Sequence, residues 1–329
     1  MIFRWVPIDT HLIVGTLKLD DYIISMKYFI ITVDTEGDNL WGYHKGDIIK
    51  TENTKFIPRF QSLCEKYAYK PVYLTNYEML CDDEYVDFVK NKEMDGLCEV
   101  GLHLHAWNNP PLYALDAKYT GNPYLIEFPD EIMREKFGVI YKLFCEKIGH
   151  KPVSHRAGRW AMDERYFKIL KEYDIPVDCS VTPGRDWSNN MGETCGGSNY
   201  MDAIKGAHSI NGVFELPLTI RKSHKPINGS IKHKLKTVLY GELLELRPAI
   251  QSIKEMKTLI DIIEKEKNTD YLEFMLHSSE LMPGGSPYFP TVKSIDKEYE
   301  IMEEVFSYAK SLGYKGVTLE EYYKICSKK

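Results

Sequence analysis

The feature that most constrains the fold is an alternation that begins at Lys27, where short apolar runs rich in β-branched residues take turns with longer stretches of helical pattern. Such an alternation is typical of repeated strand–helix units that build a parallel sheet. The predicted strands span residues 28–33, 71–74, 98–103, 153–155, 177–180, 213–216, 272–276 and 316–319. The predicted helices span residues 54–67, 83–91, 130–148, 163–173, 253–265 and 296–312.

Seven or eight strands of this kind in one domain predict a strand–helix barrel of the α/β class. We assign residues 27–329 to the barrel domain and residues 1–26 to an N-terminal extension, because Met26 would make a natural beginning just before the first strand. Three irregular stretches, 104–129, 182–212 and 221–249, are expected to be long loops at the carboxyl ends of the strands. Such loops build the walls of a site.

The charge balance narrows the classes of partner. A formal net charge of -6 and a pI near 6.0 argue against a nucleic-acid-binding protein, which usually presents a basic face. Basic residues do cluster from Arg221 to Lys236, either as a solvated loop or as a contact for a phosphate-bearing or membrane-surface substrate. No stretch approaches the roughly 18 apolar residues that a membrane span needs, so no transmembrane segment is expected.

The cysteines indicate the redox environment. There are seven of them, an odd number, and they are widely spaced with no Cys-x-x-Cys pair. This pattern indicates neither a disulfide framework nor a zinc knuckle. We therefore expect free thiols and a reducing, cytoplasmic compartment.

Two histidines one residue apart, His103 and His105, are the strongest chemical signal in the sequence. On a strand, residues i and i+2 point to the same face, so the pair could hold one metal ion. Asp34 and Glu36 have the same spacing at the end of the first predicted strand. Two imidazoles and two carboxylates suit zinc or a similar divalent ion, although two half-buried histidines that only serve packing are the alternative.

Further polar residues follow or end other predicted strands, namely Arg156, Asp178 and His277. In parallel barrels the active site lies at the carboxyl ends of the strands, where residues distant in sequence meet. We expect Asp34 to take a proton from an attacking water and His277 to protonate a leaving amine. Arg156 is expected to pair with Asp34, and Asp178 either to hold Arg156 or His277 by a hydrogen bond or to be structural. The alternatives are a turn-capping Asp34, a surface arginine and a core-edge histidine.

Aromatic residues crowd the same loops, among them Trp107 and Trp160. Most aromatics are core residues, but flat rings at the mouth of a site also stack against sugar faces. We therefore expect Trp107 and Trp160, together with the neighbouring Arg159, to bind a substrate.

Five motifs resemble those of the polysaccharide deacetylase superfamily, which includes carbohydrate esterase family 4. They are Thr32-Val-Asp34-Thr-Glu36, Gly101-Leu-His103-Leu-His105, His155-Arg156-Ala-Gly-Arg159-Trp160, Asp178-Cys-Ser180 and Leu276-His277-Ser-Ser-Glu280. The residues of these motifs are most similar to those of a subgroup from bacterial lipopolysaccharide O-antigen biosynthesis clusters. The resemblance implies an irregular (β/α)7 barrel, a divalent metal that is usually Zn²⁺, and hydrolysis of the N-acetyl amide of an amino sugar.

The sequence departs from the motifs of this family in two places. The usual tandem aspartates become Asp34-Thr-Glu36, and the usual His-x-x-x-His becomes His-x-His, with Trp107 where the second histidine normally falls. We therefore expect Glu36, His103 and His105 as the metal ligands. Asp38 or His44 could substitute for one of them.

The expected function is a metal-dependent hydrolase that removes an acetyl or similar short acyl group from an N-acylated amino sugar, either nucleotide-linked or lipid-linked, in surface polysaccharide or lipopolysaccharide biosynthesis. A deformylase is a close variant. Two alternatives stay open. The altered motifs and many aromatics would also suit a catalytically silent carbohydrate-binding barrel, and some relatives are metal-independent hydrolases of other C–N bonds.

Overall fold

A curved sheet of mainly parallel strands forms the centre of the structure, a computed structural model that describes residues 26–328. The strands are β1 (Lys27–Thr35), β2 (Pro71–Thr75), β3 (Glu99–Leu104), β4 (Ser154–Ala157), β5 (Val177–Asp178), β6 (His208–Ile210), β7 (Val213–Glu215), β8 (Ile220–Ser223), β9 (Glu242–Glu245), β10 (Tyr271–His277) and β11 (Tyr314–Gly316). The main sheet has the order β10-β1-β2-β3-β4-β5-β7-β6, and β11 also pairs with β1. Only β6 runs antiparallel to its neighbour in this sheet, whereas β8 and β9 form a separate antiparallel hairpin.

Helices cover the outside of the sheet. They are α1 (Ile57–Lys66), α2 (Tyr77–Leu80), α3 (Asp83–Met94), α4 (Asp130–Ile148), α5 (Glu164–Glu172), α6 (Ile231–Tyr240), α7 (Ile253–Glu266), α8 (Val292–Ser311) and α9 (Leu319–Cys326). None of the helices in the described part of the chain has the length and apolar content needed to cross a membrane. The seven cysteines are free thiols, as expected.

Irregular backbone links the two sides of the sheet, between β7 and β10. The segment after β7 bonds the strand on one side, where the Leu216 N–H donates to the Asp178 carbonyl at 2.8 Å. On the other side, the Glu273 N–H donates to Thr219 Oγ1 at 2.8 Å, and the Met275 N–H donates to the Leu246 carbonyl at 3.0 Å. These contacts confirm the expected irregular (β/α)7 barrel.

Strand β1 is buried on both faces, and its side chains point alternately to the outside and to the inside of the barrel. Phe29, Ile31 and Val33 pack with the helices in the large outer core. Tyr28 and Ile30 point the other way, into a smaller apolar cluster inside the barrel. Burial on both faces explains why this strand reads as a continuous apolar run.

Most of the predicted strands and helices are present, but their ends differ and some elements were missed. The last predicted strand, 316–319, is misplaced, since β11 ends at Gly316 and Leu319 begins α9. The stretch 221–249 is not a loop, since it contains β8, α6 and β9, and the prediction there is wrong. The prediction followed the cluster of basic residues, which was interpreted as a loop, although the apolar residues of α6 recur with helical spacing. Helix α8 begins four residues earlier than predicted, at Val292, because Thr291 Oγ1 accepts from the Ser294 N–H at 3.1 Å and caps it. The predicted N-terminal extension, 1–26, lies outside the described residues except for Met26.

A buried lysine fixes the loop that follows β3. Lys136 on α4 is almost fully buried, and its Nζ donates to the backbone carbonyls of Ala106, Asn109 and Pro111 at 2.9, 2.8 and 2.5 Å. Burial lowers the pKa of Lys136 to about 8. The ammonium satisfies carbonyls that would otherwise be buried without donors, and it thereby holds the chain that leaves the His103–His105 strand.

We expect Lys136→Met to lower the free energy of unfolding by about 2–4 kcal/mol, because three buried carbonyls lose their donor while the apolar stem is kept. Urea unfolding measures the change. Lys142→Met on the exposed face of the same helix is the control and should change stability by less than about 0.5 kcal/mol. Equal effects in the two variants would contradict the anchoring role.

Candidate metal and catalytic site

The inner face of the barrel brings the predicted residues together. On β1 this face continues from the apolar Tyr28 and Ile30 through Thr32 to Asp34 by the period of two of a strand. Asp34 lies in parallel register with His277 of β10. In the sheet order, β2 follows β1, and β3 and β4 come after it. Polar side chains at the carboxyl ends of these strands therefore converge.

Glu36, His103 and His105 form a buried cluster at this end of the barrel. Glu36 Oε2 lies 2.7 Å from His105 Nε2 and 3.6 Å from His103 Nε2, and the two imidazole nitrogens are 3.0 Å apart. Ligand atoms of the three residues all lie within 4.8 Å of one another. A tetrahedral zinc ion with bonds of about 2.0–2.1 Å separates its ligands by roughly 3.4 Å, so the size of the cluster fits one ion.

The hydrogen bond of His103 prepares it as a ligand. Its Nδ1 lies 2.9 Å from the Arg156 carbonyl, which can only accept, so Nδ1 carries the proton and Nε2 presents a lone pair to the cluster. Burial opposes the charge of Glu36, but His277 and the two cluster histidines outweigh burial and lower the pKa of Glu36 well below its usual range. Burial also lowers the pKa of His105. Two imidazoles and an ionised carboxylate are a donor set that zinc accepts.

The two substitute ligands that the sequence allowed do not reach this cluster. Asp38 accepts hydrogen bonds from the backbone N–H groups of Glu52 and Asn53 and from the Asn53 side chain, so it serves to fix the loop. His44 is exposed and lies near Asp47. The expectation that either could be a ligand is therefore wrong.

Arg156 lies at the centre of the interior and has no exposure to solvent. Its Nη1 donates to Asp34 Oδ1 at 2.7 Å, and its Nε donates to the Cys179 carbonyl at 3.0 Å. Its Nη2 donates to Thr32 Oγ1 at 2.9 Å and also contacts Glu273 Oε1. Burial alone would raise the pKa of Asp34, but Arg156 together with His103 and His277 outweighs burial and lowers it. The expected Arg156–Asp34 pair is present.

One guanidinium cannot neutralise two buried carboxylates. Arg156 bonds both Asp34 and Glu273, and burial raises the pKa of Glu273 to about 7 while that of Asp34 is lowered. Thr32 Oγ1 donates to Glu273 Oε1 at 2.9 Å, and no described residue contacts Oε2. The charge therefore resides on Asp34, and Glu273 is the carboxyl that holds a proton below neutral pH.

His277 faces both carboxylates. Its Nε2 lies 3.8 Å from Asp34 Oδ2 and 4.0 Å from Glu36 Oε1. On the other side of the ring, Arg247 Nη2 donates to Nδ1 at 3.1 Å. Because a guanidinium never accepts, Nδ1 of the neutral ring must be the acceptor and Nε2 carries the proton that points into the site. Burial opposes the charge of Glu280, yet Arg247 and His277 together outweigh burial and lower the pKa of Glu280 to about 2.

Asp178 is buried but contacts neither of the residues that the sequence assigned to it. It accepts a hydrogen bond from His155 Nδ1 at 2.7 Å and another from Ser180 Oγ at 2.9 Å. His155 Nε2 in turn contacts Tyr166 of α5 at 2.9 Å. The expectation that Asp178 holds Arg156 or His277 is wrong, because their ring and guanidinium nitrogens already have other partners.

A cavity of about 540 Å³ opens above these groups. Its lining includes the cluster and, around the mouth, aromatic and basic side chains, namely Trp41, Trp107, Arg159, Trp160, Arg185, Trp187, Arg247 and Tyr288. A second cavity of about 780 Å³ shares Trp107 as a wall. Trp107 packs on His105 with ring centroids 4.1 Å apart, and Trp160 stacks on Trp187 at 5.3 Å. The indole N–H groups of Trp107 and Trp160 are buried and have no hydrogen-bond partner among the described residues.

The backbone at the predicted binding residues is strained. Arg159 and Trp160 have φ values of 55° and 56°, a conformation that residues other than glycine adopt at a cost of about 1–3 kcal/mol each. Arg159 is held by the carbonyl of Asn122 and lies over the ring of Tyr124 at 4.0 Å. These contacts fix both side chains at the rim of the cavity.

Sequence reasoning missed two residues of the site. Glu273 carried a usable signal, since it is a charged residue within an apolar strand and lies at even spacing from His277. Arg247 follows the unpredicted β9 and stands in no pattern that places it near the others. Trp41 is one of the loop aromatics, and its ring centroid lies 4.9 Å from that of His277.

Comparison with known proteins supports the fold. No protein-family profile matches the sequence, and no curated protein matches it. A solved structure of a candidate polysaccharide deacetylase from Mycobacterium smegmatis matches with a TM-score of 0.51 and 12% identity over 91% of this chain and 90% of that chain. The chain thus adopts the fold of polysaccharide deacetylases, as the resemblance implied.

Enzymes with another chemistry share this fold. A 4-alpha-glucanotransferase from Thermococcus litoralis matches with a TM-score of 0.53 and 12% identity, over 91% of this chain but only 40% of that chain. A GH57 branching enzyme from Thermococcus kodakaraensis matches with a TM-score of 0.52 and 10% identity, over 91% and 71%. At such identity the likeness concerns the fold, so the chemistry must be argued from the site residues.

The raised pKa of Glu273 predicts a pH dependence of stability. Between about pH 4.5 and 7 the folded protein keeps the Glu273 proton that the unfolded chain has lost, so the free energy of unfolding falls as pH rises. We expect this contribution to be about 2–3 kcal/mol and to be absent from Glu273→Gln. Denaturant titrations across this pH range measure it, with exposed Glu300→Gln as the control. An unchanged slope in Glu273→Gln would contradict the assignment.

The packing around His105 predicts a second effect. A Cβ on Gly158 would lie 2.5 Å from the Leu104 carbonyl and 2.7 Å from His105 Nδ1, so Gly158→Ala must displace the ring. We expect it to weaken zinc binding about 10–100-fold, and His103→Ala or His105→Ala to abolish it. Metal content by mass spectrometry after zinc titration is the measurement.

Gly206→Ala is the matched control, because the nearest atom to a Cβ there is 4.0 Å away. It should bind zinc as the parent does. Zinc retained in both histidine variants would rule out the cluster as a metal site.

Proposed function

We propose that this protein is a metal-dependent hydrolase that removes an acetyl or similar short acyl group from the amide nitrogen of an N-acylated amino sugar. The observation that carries the proposal is the buried Glu36, His103 and His105 cluster with Asp34 and His277 beside it, at the base of a cavity walled by tryptophans. Residues 27–329 would then be the catalytic barrel. The fold likeness to polysaccharide deacetylases is consistent with this reading.

Glu36, His103 and His105 would hold the divalent ion, with zinc the best match to their donor atoms. A bound ion of this kind supplies Lewis-acid polarisation of an amide carbonyl and activation of a water. Asp34 keeps one oxygen on Arg156 and turns Oδ2 toward His277 and the cavity. Asp34 Oδ2 would accept a proton from the water while the water oxygen attacks the carbonyl carbon.

His277 would complete the reaction. The Arg247 donor at Nδ1 leaves the ring proton on Nε2, on the side of the carboxylates. To act as the acid, the ring would take up a second proton at Nδ1, where Glu280 Oε1 lies 3.4 Å away and can accept from it. Transfer of the Nε2 proton to the amide nitrogen would then leave a neutral ring and allow the C–N bond to break, which yields a carboxylate and a free sugar amine. Arg156 would act as a positioning residue, since it fixes Asp34 and keeps it ionised.

The substrate class follows from the walls of the cavity. Trp107 and Trp160 contribute their rings to the lining of the cavity, and Arg159, the residue before Trp160, lies at the rim. Such surfaces suit the apolar face and hydroxyl groups of a sugar. The residues of the five motifs favour a precursor of a surface polysaccharide or lipopolysaccharide as the substrate. This precursor would be nucleotide-linked or lipid-linked and located in the cytoplasm.

The electrostatics argue against the glycosyl transfer that some proteins of this fold perform. A glycosidic general acid needs a carboxyl whose pKa is raised, so that it is protonated near neutral pH. Asp34 and Glu36 are the carboxyls that face His277 Nε2, and the pKa values of both are lowered. Asp34 is bound to Arg156, and Glu36 is bound to His105. This pair suits water activation and metal binding better.

The decisive experiment is release of acetate or formate from UDP-N-acetylglucosamine, N-acetylglucosamine oligosaccharides and their N-formyl analogues by zinc-loaded protein. We expect Asp34→Asn to lower kcat about 1,000-fold and His277→Gln about 100-fold, because each removes one proton transfer. Exposed Asp87→Asn is the control and should retain full activity.

The outcome separates the alternatives. Turnover that disappears on chelation and returns with zinc supports the proposal. Sugar binding that survives chelation without any turnover would favour a silent carbohydrate-binding barrel, and turnover that survives chelation would favour a metal-independent hydrolase of another C–N bond.

A further inference from the structure

Helix α6 presents its apolar side to solvent. Ile231, Leu235, Val238 and Leu239 have 81%, 60%, 51% and 70% of their surface exposed, whereas Thr237 is the buried residue of this helix. The helix is inserted between β8 and β9 at the end of their antiparallel hairpin. It therefore projects from the barrel rather than packing into it.

The four apolar side chains form one stripe, since positions i, i+4, i+7 and i+8 lie on the same face of an α-helix. In a helix that packs on a core this stripe points inward, but in α6 it points outward. We call these four residues the α6 stripe. A contiguous apolar surface of this kind marks a contact with another surface.

Lysines flank the α6 stripe. Lys234 lies on one side and Lys232 and Lys236 on the other, by the helical angle of 100° per residue. Lys222 and Lys225 of the hairpin are exposed nearby in sequence, and no acidic residue occurs from 220 to 241. None of the ion pairs formed by residues 26–328 involves these lysines. This local positive charge contrasts with the net charge of -6 of the whole chain.

We propose that α6 docks on an anionic lipid surface, with the α6 stripe in the boundary between headgroups and acyl chains. A helix with an apolar face and lysines on both flanks lies in the plane of such an interface, because the long lysine stems let the ammonium groups reach the phosphates. Each lysine near an anionic surface strengthens binding roughly fivefold. Tyr240, exposed at the end of the helix, adds a side chain suited to the same boundary.

A second copy of the chain fits the α6 stripe less well. Two stripes packed face to face would bring the lysines of both copies together, and like charges across an interface oppose association. Four side chains on ten residues also offer far less than the roughly 800 Å² per partner of a stable interface. Lipid phosphates complement the charge instead.

Docking would bring the candidate site close to the lipid surface. Gly241 follows α6, and Glu245 is four residues further along the chain. Four residues span at most about 14 Å even when fully extended. Glu245 and Arg247 line the cavity that contains His277. The inference that the substrate is a lipid-linked sugar rests on the proposed function, whereas lipid binding by α6 does not.

Co-sedimentation of the full chain with vesicles tests the proposal without any assay of activity. We expect the parent to sediment with vesicles of phosphatidylcholine and phosphatidylglycerol in equal parts and to stay in solution with phosphatidylcholine alone. Leu235→Ser with Leu239→Ser should weaken binding at least about tenfold, and Lys232→Gln with Lys236→Gln about 10- to 30-fold. Added salt should weaken binding of the parent.

Matched controls use equally exposed residues elsewhere, namely Met94→Ser with Val292→Ser and Lys293→Gln with Lys297→Gln. Both controls should bind as the parent does, and unchanged thermal unfolding should show that all variants are folded. A parent that sediments with neither vesicle, or a stripe variant that binds like the parent, would overturn the proposal. A concentration-dependent dimer that the stripe variant loses, without vesicle binding, would assign the α6 stripe to self-association instead.

Discussion

The buried guanidinium of Arg156 is the interaction on which the interior of the barrel depends. From β4 it reaches Asp34 on β1, Glu273 on β10 and the carbonyl of Cys179 after β5, so one side chain joins strands from opposite parts of the sheet. Ions are stable inside a protein only when they are paired and fully hydrogen-bonded. The same contact that ties the strands together therefore also orients the carboxylate that we propose as the base.

The barrel divides stability and chemistry between its two faces. The helix side carries the large apolar core, in which Phe29, Phe274 and Phe306 pack against one another. The inner side is narrow, since a Cβ on Gly101 would lie 2.3 Å from Ser154 Oγ, and it changes from a small apolar cluster to polar groups toward the carboxyl ends of the strands. Because apolar burial on the outside stabilises the domain, the inside tolerates a neutral carboxyl, strained residues at the rim and a cluster of histidines.

The fold alone does not decide the chemistry, since solved structures of a candidate deacetylase, a 4-alpha-glucanotransferase and a branching enzyme share it. The side chains at the strand ends make the difference. His103 and His105 next to Glu36 favour a bound ion, and Arg156 keeps Asp34 ionised. The hairpin that carries α6 ends in residues that line the same cavity, so a docking surface and a catalytic site would be joined by one short strand.

The sequence by itself determined the alternation of strands and helices, and with it the placement of Asp34, Glu36, His103, His105, Arg156 and His277 at strand ends, because these follow from local periodicity and motif spacing. The Arg156–Asp34 pair and the Glu36, His103 and His105 cluster were expected from the sequence, whereas tertiary structure alone decided the other contacts. It assigned Asp178 to His155, excluded Asp38 and His44 from the cluster, and brought in Glu273 and Arg247 from distant segments. Hydrogen-bond partners depend on how strands are ordered and closed across the barrel, and that order is a property of packing that no local pattern contains.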